Sequence, residues 1–195
     1  LRRLGCEASD LGIFSDEPNS LAGALKKVAG RHDLLLTTGG VSTGEEDHVK
    51  AAVEMAGKLV LWRMAIKPGR PVAMGVIGGT PFIGLPGNPA SALVCAHLFL
   101  RPLLNVMNGV APGPHLHKAK LRGSLGANGP REHYLRAALE IDPDGQIWAQ
   151  PFEAQDSSLL SVFSRSQALL IDCRSLDARP VPIPARHAHR RSRWR

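Results

Sequence analysis

From Glu7 to about Met107, apolar runs alternate with amphipathic stretches, the pattern of a sheet covered by helices. Residues 11–14 read as the end of a first strand. Residues 16–30 carry Leu21, Leu25 and Val28 at i, i+4 and i+7, behind an acidic start and before the stop at Gly30, which predicts a helix. Residues 33–38 form a short, nearly continuous apolar run of the kind buried on both faces of a parallel sheet. A second helix is expected over 45–56, with Val49, Ala52, Val53 and Ala56 on one face, and a third strand over 59–66. Lys67-Pro68-Gly69-Arg70-Pro71 must turn the chain. Residues 72–77 run away from that turn, Gly78-Gly79-Thr80 reverses it, and 82–85 return. Pro86-Gly87-Asn88-Pro89 then opens a long helix to about Met107.

Beyond Pro112-Gly113-Pro114 the texture changes. Residues 116–125, 133–141, 147–150 and 168–172 are short alternating runs broken by turn signals such as Asp142-Pro143-Asp144-Gly145. The fold class expected is a mainly parallel three-layer α/β/α domain over 1–112, followed by a small β-rich domain over 113–185. An Arg-rich tail, 186–195, is expected to be disordered.

Composition narrows the function classes. The chain has 195 residues with 44% hydrophobic and 21% charged, enough to build a core. Its net charge of +7 suggests an anionic partner, but five of its 24 Lys+Arg lie in the last ten residues, leaving 19 against 17 acids, or +2, elsewhere. The body is close to neutral, and the basic stripe with interleaved aromatics of a nucleic-acid surface is missing, so no nucleic-acid partner is expected. No apolar run approaches the span of a bilayer and no signal-peptide core follows the N-terminus, so a cytoplasmic location without a membrane partner is expected. Cys6, Cys95 and Cys173 are odd in number and far apart, and buried thiols are the expectation.

Ligands of open α/β sheets bind beyond the carboxyl ends of the strands. Four unusual loops are expected there: Ser15-Asp16, the stretch from Gly39 to Asp47, Lys67-Pro68-Gly69-Arg70, and Pro86 to Ser91. The second offers amides at Gly39 and Gly40, hydroxyls at Thr38, Ser42 and Thr43, and a helix start, which suit a phosphate. It lacks the Lys-Ser/Thr of a Walker A loop and continues with acids instead. Asp16 and Asp47 are the pair expected to hold Mg²⁺, whereas Glu45 and Glu46 read as helix-dipole partners. Lys67 and Arg70 suit an oxyanion or a solvated basic turn, and spacing leaves both open. Arg63 shares their face if the pleat is regular. Pro86 and Pro89 stiffen a wall, Pro89 doubling as a helix start. His115, His117, His187 and His189 read as solvated, His48 as surface and His97 as a core residue.

The motifs T-T-G-G-V-S-T-G-E-E-D, A-I-K-P-G-R-P and G-L-P-G-N-P-A-S-A, in that order, resemble the molybdopterin molybdenumtransferase (molybdenum insertase) family, to which the gephyrin E-domain is related. The resemblance covers residues 1 to about 185 and corresponds to the family's C-terminal half, with an upstream region and the first strand and helix of the α/β domain absent. It implies a molybdopterin-binding type of fold. It also implies Mg²⁺-dependent insertion of molybdate into adenylylated molybdopterin with release of AMP, in a full-length homodimer. It assigns Asp16 and Asp47 as functional acids and Lys67 as a catalytic cation. Arg63, Arg70 and Ser91 fall to the anion, Pro86 and Pro89 to the wall, and Arg131 and Arg136 match a G-R-x-x-x-x-R strand of which one faces the anion. Ser157 matches a G-S-G-type turn that here reads Asp156-Ser157-Ser158. Two alternatives stand beside this one: a molybdopterin adenylyltransferase using ATP, and a non-catalytic scaffold module of the same fold.

Overall fold

The structure, a computed structural model, describes residues 1–41, 48–111, 116–126, 129–156 and 160–171. In chain order its main elements are α1 (Pro18–Val28), β1 (Leu35–Thr38), α2 (His48–Ala56), β2 (Lys58–Trp62), β3 (Ile66–Lys67), β4 (Ala73–Ile77) and β5 (Thr80–Leu85). There follow α3 (Pro89–Cys95), a π-helical stretch Ala96–Leu100, α4 (Arg101–Met107), β6 (Lys120–Leu121), β7 (Glu132–Ile141), β8 (Ile147–Pro151), α5 (Leu160–Arg165) and β9 (Ala168–Ile171).

The first sheet has the order β1-β5-β4-β2. β1 pairs with β5 in parallel, and β4 is antiparallel to both β5 and β2, so three of the four strands point the same way. Alternate residues of each strand serve opposite faces. Leu35, Ala73, Ile77 and Phe82 meet Leu21, Ala22 and Leu25 of α1 and Val49, Ala52 and Val53 of α2. Ile83 and Leu85 meet Cys95, Leu100 and Leu104 on the other side. This is the expected three-layer α/β/α arrangement. Burying side chains such as Phe82 and Ile77 stabilises it by roughly 1.5–3 kcal/mol apiece.

The second sheet has five strands in the order β3-β7-β8-β6, with β9 also on β7. Its first strand comes from the K-P-G-R turn: Ile66 pairs with Glu132 and Lys67 with His133, and Glu132 N donates to Ala65 O at 2.8 Å. Tyr134 also packs onto the second core cluster. The β-rich part is therefore stitched directly to a loop of the α/β part. The turn at residues 142–145 forms as its sequence predicts, with Asp142 Oδ1 accepting from Asp144 N and Gln146 N and Gly145 at φ 80°.

Several expectations are corrected. Residues 11–14 form no strand: Asp10 Oδ1 accepts from Gly12 N at 2.9 Å, Gly12 takes φ 81°, and Ile13 is fully exposed. An Asx turn replaces the extended run, because a strand persists only where a neighbour completes its ladder. The expected strand 59–66 stops at Trp62. Arg63 takes φ 67°, its N–H donates to Val72 O at 3.1 Å, and Met64 N donates to Arg70 O at 2.9 Å, so the pleat that would align Arg63 with Ala65 and Lys67 is broken. Within 116–125 only Lys120–Leu121 is strand, and Gly123 at φ 89° turns the chain away. His97 is exposed rather than in the core, since the π-helical stretch rotates the buried face away from a 3.6-residue period. Cys6 is only half-buried, whereas Cys95 is fully buried. Finally, Pro89–Met107 is one helix of 19 residues with mean hydropathy 1.5, long and apolar enough by those measures to cross a membrane, contrary to the sequence reading. Its apolar residues Ala90, Val94, Cys95, Leu100 and Leu104 are buried in the fold.

Candidate anion and cofactor site

The carboxyl ends of β1, β5 and β2 and the start of β4 share one rim, which follows from their directions. A cleft of about 380 Å³ opens there, lined by Gly40, Val41, Pro71, Pro86, Gly87, Asn88 and Ser91. That volume lies within the range of small-molecule sites. The loops that carry its lining are tied together by hydrogen bonds. Gly39 N donates to Leu85 O at 3.1 Å and Thr38 Oγ1 donates to Pro86 O at 3.2 Å. The Gly39 amide, expected to face a phosphate, is thus spent on holding the two loops. The two loops approach closely at Gly87, where a Cβ would come 3.3 Å from the Gly39 Cα.

α3 starts inside the cleft wall. Asn88 caps it, its side chain accepting from Ser91 N at 3.1 Å, with Pro89 in the first turn where no N–H is needed. Replacing Asn88 with alanine is expected to cost about 1 kcal/mol and to lower the melting temperature by a few degrees, readable in a thermal melt.

The remaining sequence candidates are distributed unevenly. Gly40, Pro86 and Ser91 line the cleft, Ser91 being buried. Pro89 is exposed and outside the lining, so the wall consists of Pro86 and Pro71 instead. Val41, Gly87 and Asn88, which also line the cleft, belong to the loops expected at this edge, whereas Pro71 lies just beyond the expected Lys67-Pro68-Gly69-Arg70 loop. Arg63, Lys67 and Arg70 are exposed and do not line the cleft. Asp16 is exposed, and the carboxylate that does structural work there is its neighbour Glu17, which accepts from Ser20 N at 2.6 Å and Asn19 N at 3.1 Å at the start of α1. Those backbone bonds hold the Glu17 carboxyl below its ordinary range. Ser42, Asp47 and Ser157 lie outside the described residues, as do Glu45, Glu46, His115, His187, His189, Cys173 and the tail.

The K-P-G-R turn is clamped by α3. Gly69 has φ 104°, and a Cβ on it would run into Cys95 Sγ. Cys95 Sγ donates to Gly69 O at 3.5 Å, and burial pushes its thiol up to about 12, so it remains the protonated donor near neutrality.

On β7, Arg136 is only 1% exposed, yet its Nη1 and Nη2 have no hydrogen-bond partner among the described residues. Its Nε donates to Gln155 Oε1 at 3.2 Å, and its guanidinium lies 5.4 Å from the Phe163 ring centre. Desolvation lowers its pKa while the charge of Asp156 opposes that shift. Arg131, the other candidate on this stretch, is exposed. Lys67 pairs with His133, an odd number of residues from Arg136, so the two cations leave opposite faces of the sheet.

Residues 1–106 match the family described as the probable molybdopterin binding domain, more than half of the chain. The chain belongs to that family. Downstream of this molybdopterin-binding match, residues 118–171 match the MoeA C-terminal region (domain IV). A molybdopterin molybdenumtransferase of Haemophilus influenzae is 36% identical over 174 residues, covering 88% of this chain and 43% of the relative. One from Nostoc sp. is 30% identical, covering 72% and 34%. This member of the molybdopterin-binding family therefore spans less than half the length of those curated relatives. A solved structure, a molybdopterin biosynthesis MoeA protein of Pyrococcus horikoshii, superposes with a TM-score of 0.69 at 28% identity, covering 88% of this chain and 40% of the other. A molybdenum cofactor biosynthesis protein of Pyrococcus furiosus shares the fold with a TM-score of 0.65 at 22% identity, over 88% and 54%.

Proposed function

We propose that this chain is the cofactor-binding part of an enzyme of molybdenum cofactor biosynthesis, which inserts molybdate into adenylylated molybdopterin and releases AMP. The observation that carries the reading is Arg136. Two buried guanidinium donors without an acceptor among the described residues are costly, and an oxyanion would supply one. The cleft at the strand ends suits the pterin nucleotide, and Lys67, Arg63 and Arg70 add positive potential near its rim, which draws anionic substrates in. In this reading Thr38, Gly39, Gly40, Pro86 and Ser91 shape the pterin seat, and the oxyanion ends at Arg136.

Mg²⁺ belongs to the proposal through Asp16 and Asp47. Among the described residues no three His, Cys, Asp or Glu side chains group together, and Asp16 does not line the cleft. The described residues alone therefore do not compose a cation site, and no step is derived through the ion. The working form is proposed to be a full-length homodimer in the cytoplasm.

The test is an assay on the full-length protein. Adenylylated molybdopterin should be consumed, and AMP released, only when both molybdate and Mg²⁺ are present. Consumption of molybdopterin that depends on ATP instead identifies an adenylyltransferase, and binding without turnover identifies a scaffold module. The relatives named molybdenumtransferase and the match to the MoeA C-terminal region favour the first outcome.

A further inference from the structure

Gln155 has no role in the reading above, but its side chain is fully engaged with one residue's surroundings. Its Oε1 accepts from Arg136 N at 3.0 Å and from Arg136 Nε at 3.2 Å. Its Nε2 donates to Arg136 O at 2.9 Å and to Phe152 O at 2.7 Å. The amide thus brackets the β7 backbone at Arg136 and takes the Nε edge of the guanidinium. Phe152 N closes the same bracket by donating to Arg136 O at 3.0 Å. Phe163 covers a face of the group at 5.4 Å. What is left of the five-donor fork is its outer end, the Nη1 and Nη2 atoms, both buried and without a partner among the described residues.

We infer that Gln155 is a positioning residue for Arg136: it holds the guanidinium by its Nε edge so that the Nη1/Nη2 end is presented as a two-pronged seat for an oxyanion. The inference rests on the reading that Arg136 receives that anion. A neutral amide suits the task better than an acid. A carboxylate at this place would fix the same edge, but its charge would satisfy Arg136 from within and compete with the incoming anion. It would also set an oxygen against the carbonyls of Arg136 and Phe152, where the amide now donates. A residue too short to reach would leave the guanidinium free to rotate, losing the preorganisation that lets a planar fork bind both oxygens at once.

The test measures molybdate binding to this chain by calorimetry, at a temperature where circular dichroism shows each variant folded, alongside its melting temperature. Gln155→Glu is expected to raise the molybdate Kd at least tenfold. Trp148→Phe serves as the structural control. It removes the bond from Trp148 Nε1 to Asp142 Oδ2, 2.8 Å long, at the far end of β7, and should lower the melting temperature while leaving Kd within twofold. If Gln155→Glu does not fold, Gln155→Ala is read the same way. A Kd for the Gln155 variant within twofold of wild type, while Arg136→Gln weakens binding tenfold or more, overturns the inference alone. Unchanged binding in Arg136→Gln, or no molybdate binding by the wild-type chain, overturns the proposed function and this inference together.

Discussion

Replacing Arg136 with methionine is expected to raise the melting temperature of this chain and to abolish oxyanion binding. The two effects have one cause. A guanidinium that is 1% exposed and whose Nη1 and Nη2 have no partner among the described residues has lost its hydration without full compensation from them. Among the described residues, the bond from Nε to Gln155, the Phe163 ring and the charge of Asp156 offset that cost. The first two amount to about 1.5–3 kcal/mol for the charged hydrogen bond and up to about 2 kcal/mol for the ring. The effective penalty for burying an ion runs to several kcal/mol, and replacing buried ionic groups with well-packed apolar ones is often stabilising by about 1–4 kcal/mol. Methionine keeps most of the volume and makes its own contact with Phe163. The Gln155 bonds to the backbone N and O of residue 136 survive the change. A gain of several degrees in a thermal melt, with no heat of molybdate binding, is the expected result. A fall of similar size would mean that the guanidinium is already satisfied and serves the fold.

The second large effect is at Gly69. Its φ of 104° is outside what L side chains readily adopt, and a Cβ would overlap Cys95 Sγ, with Ser91 O at 3.5 Å and Ile66 Cδ1 at 3.6 Å closing the other directions. Gly69→Ala therefore combines a backbone penalty of about 1–3 kcal/mol with an overpacking penalty of about 1–3 kcal/mol. A loss of about 2–6 kcal/mol in urea denaturation is expected. Adding Cys95→Ala opens the space taken by the sulfur, so a double-mutant cycle should recover the overpacking part and leave the backbone part. A cost below about 1 kcal/mol for Gly69→Ala would show that α3 does not clamp the turn carrying Lys67 and Arg70.

Much of the α/β half could be read from the sequence because its elements announce themselves locally. Leu21 and Leu25 fall on one face of α1, and Val49, Ala52 and Val53 on one face of α2, all buried. The glycines at 78 and 79 reverse β4 into β5 at φ 56° and 87°. The loops at Gly40 and at Pro86 to Ser91 converge on one rim because strand direction carries them there. The misses have physical sources that no local pattern displays. Arg63 breaks a strand whose apolar run continues past it, since the loop closes through bonds from Arg63 N to Val72 O and from Met64 N to Arg70 O, partners nine and six residues along the chain. His97 turns outward through a π-helical stretch. Gln155 gave no signal at all, because a glutamine in a polar stretch resembles any other until its partner is known.

The sequence by itself determined the periodicities, the turn residues and the ordered motifs, hence the layers of the first sheet and the family resemblance, because these depend on neighbours a few residues apart. Only the tertiary structure decided which groups are left unsatisfied. Whether the Arg136 donors find an acceptor, whether the Gly39 amide is free, and which sheet Lys67 joins all depend on chain segments far apart in sequence: Gln155 and Phe163 around Arg136, Leu85 opposite Gly39, and β7 beside Lys67. Hydrogen bonding saturates, so a polar group's remaining capacity can be counted only after every distant partner has taken its share.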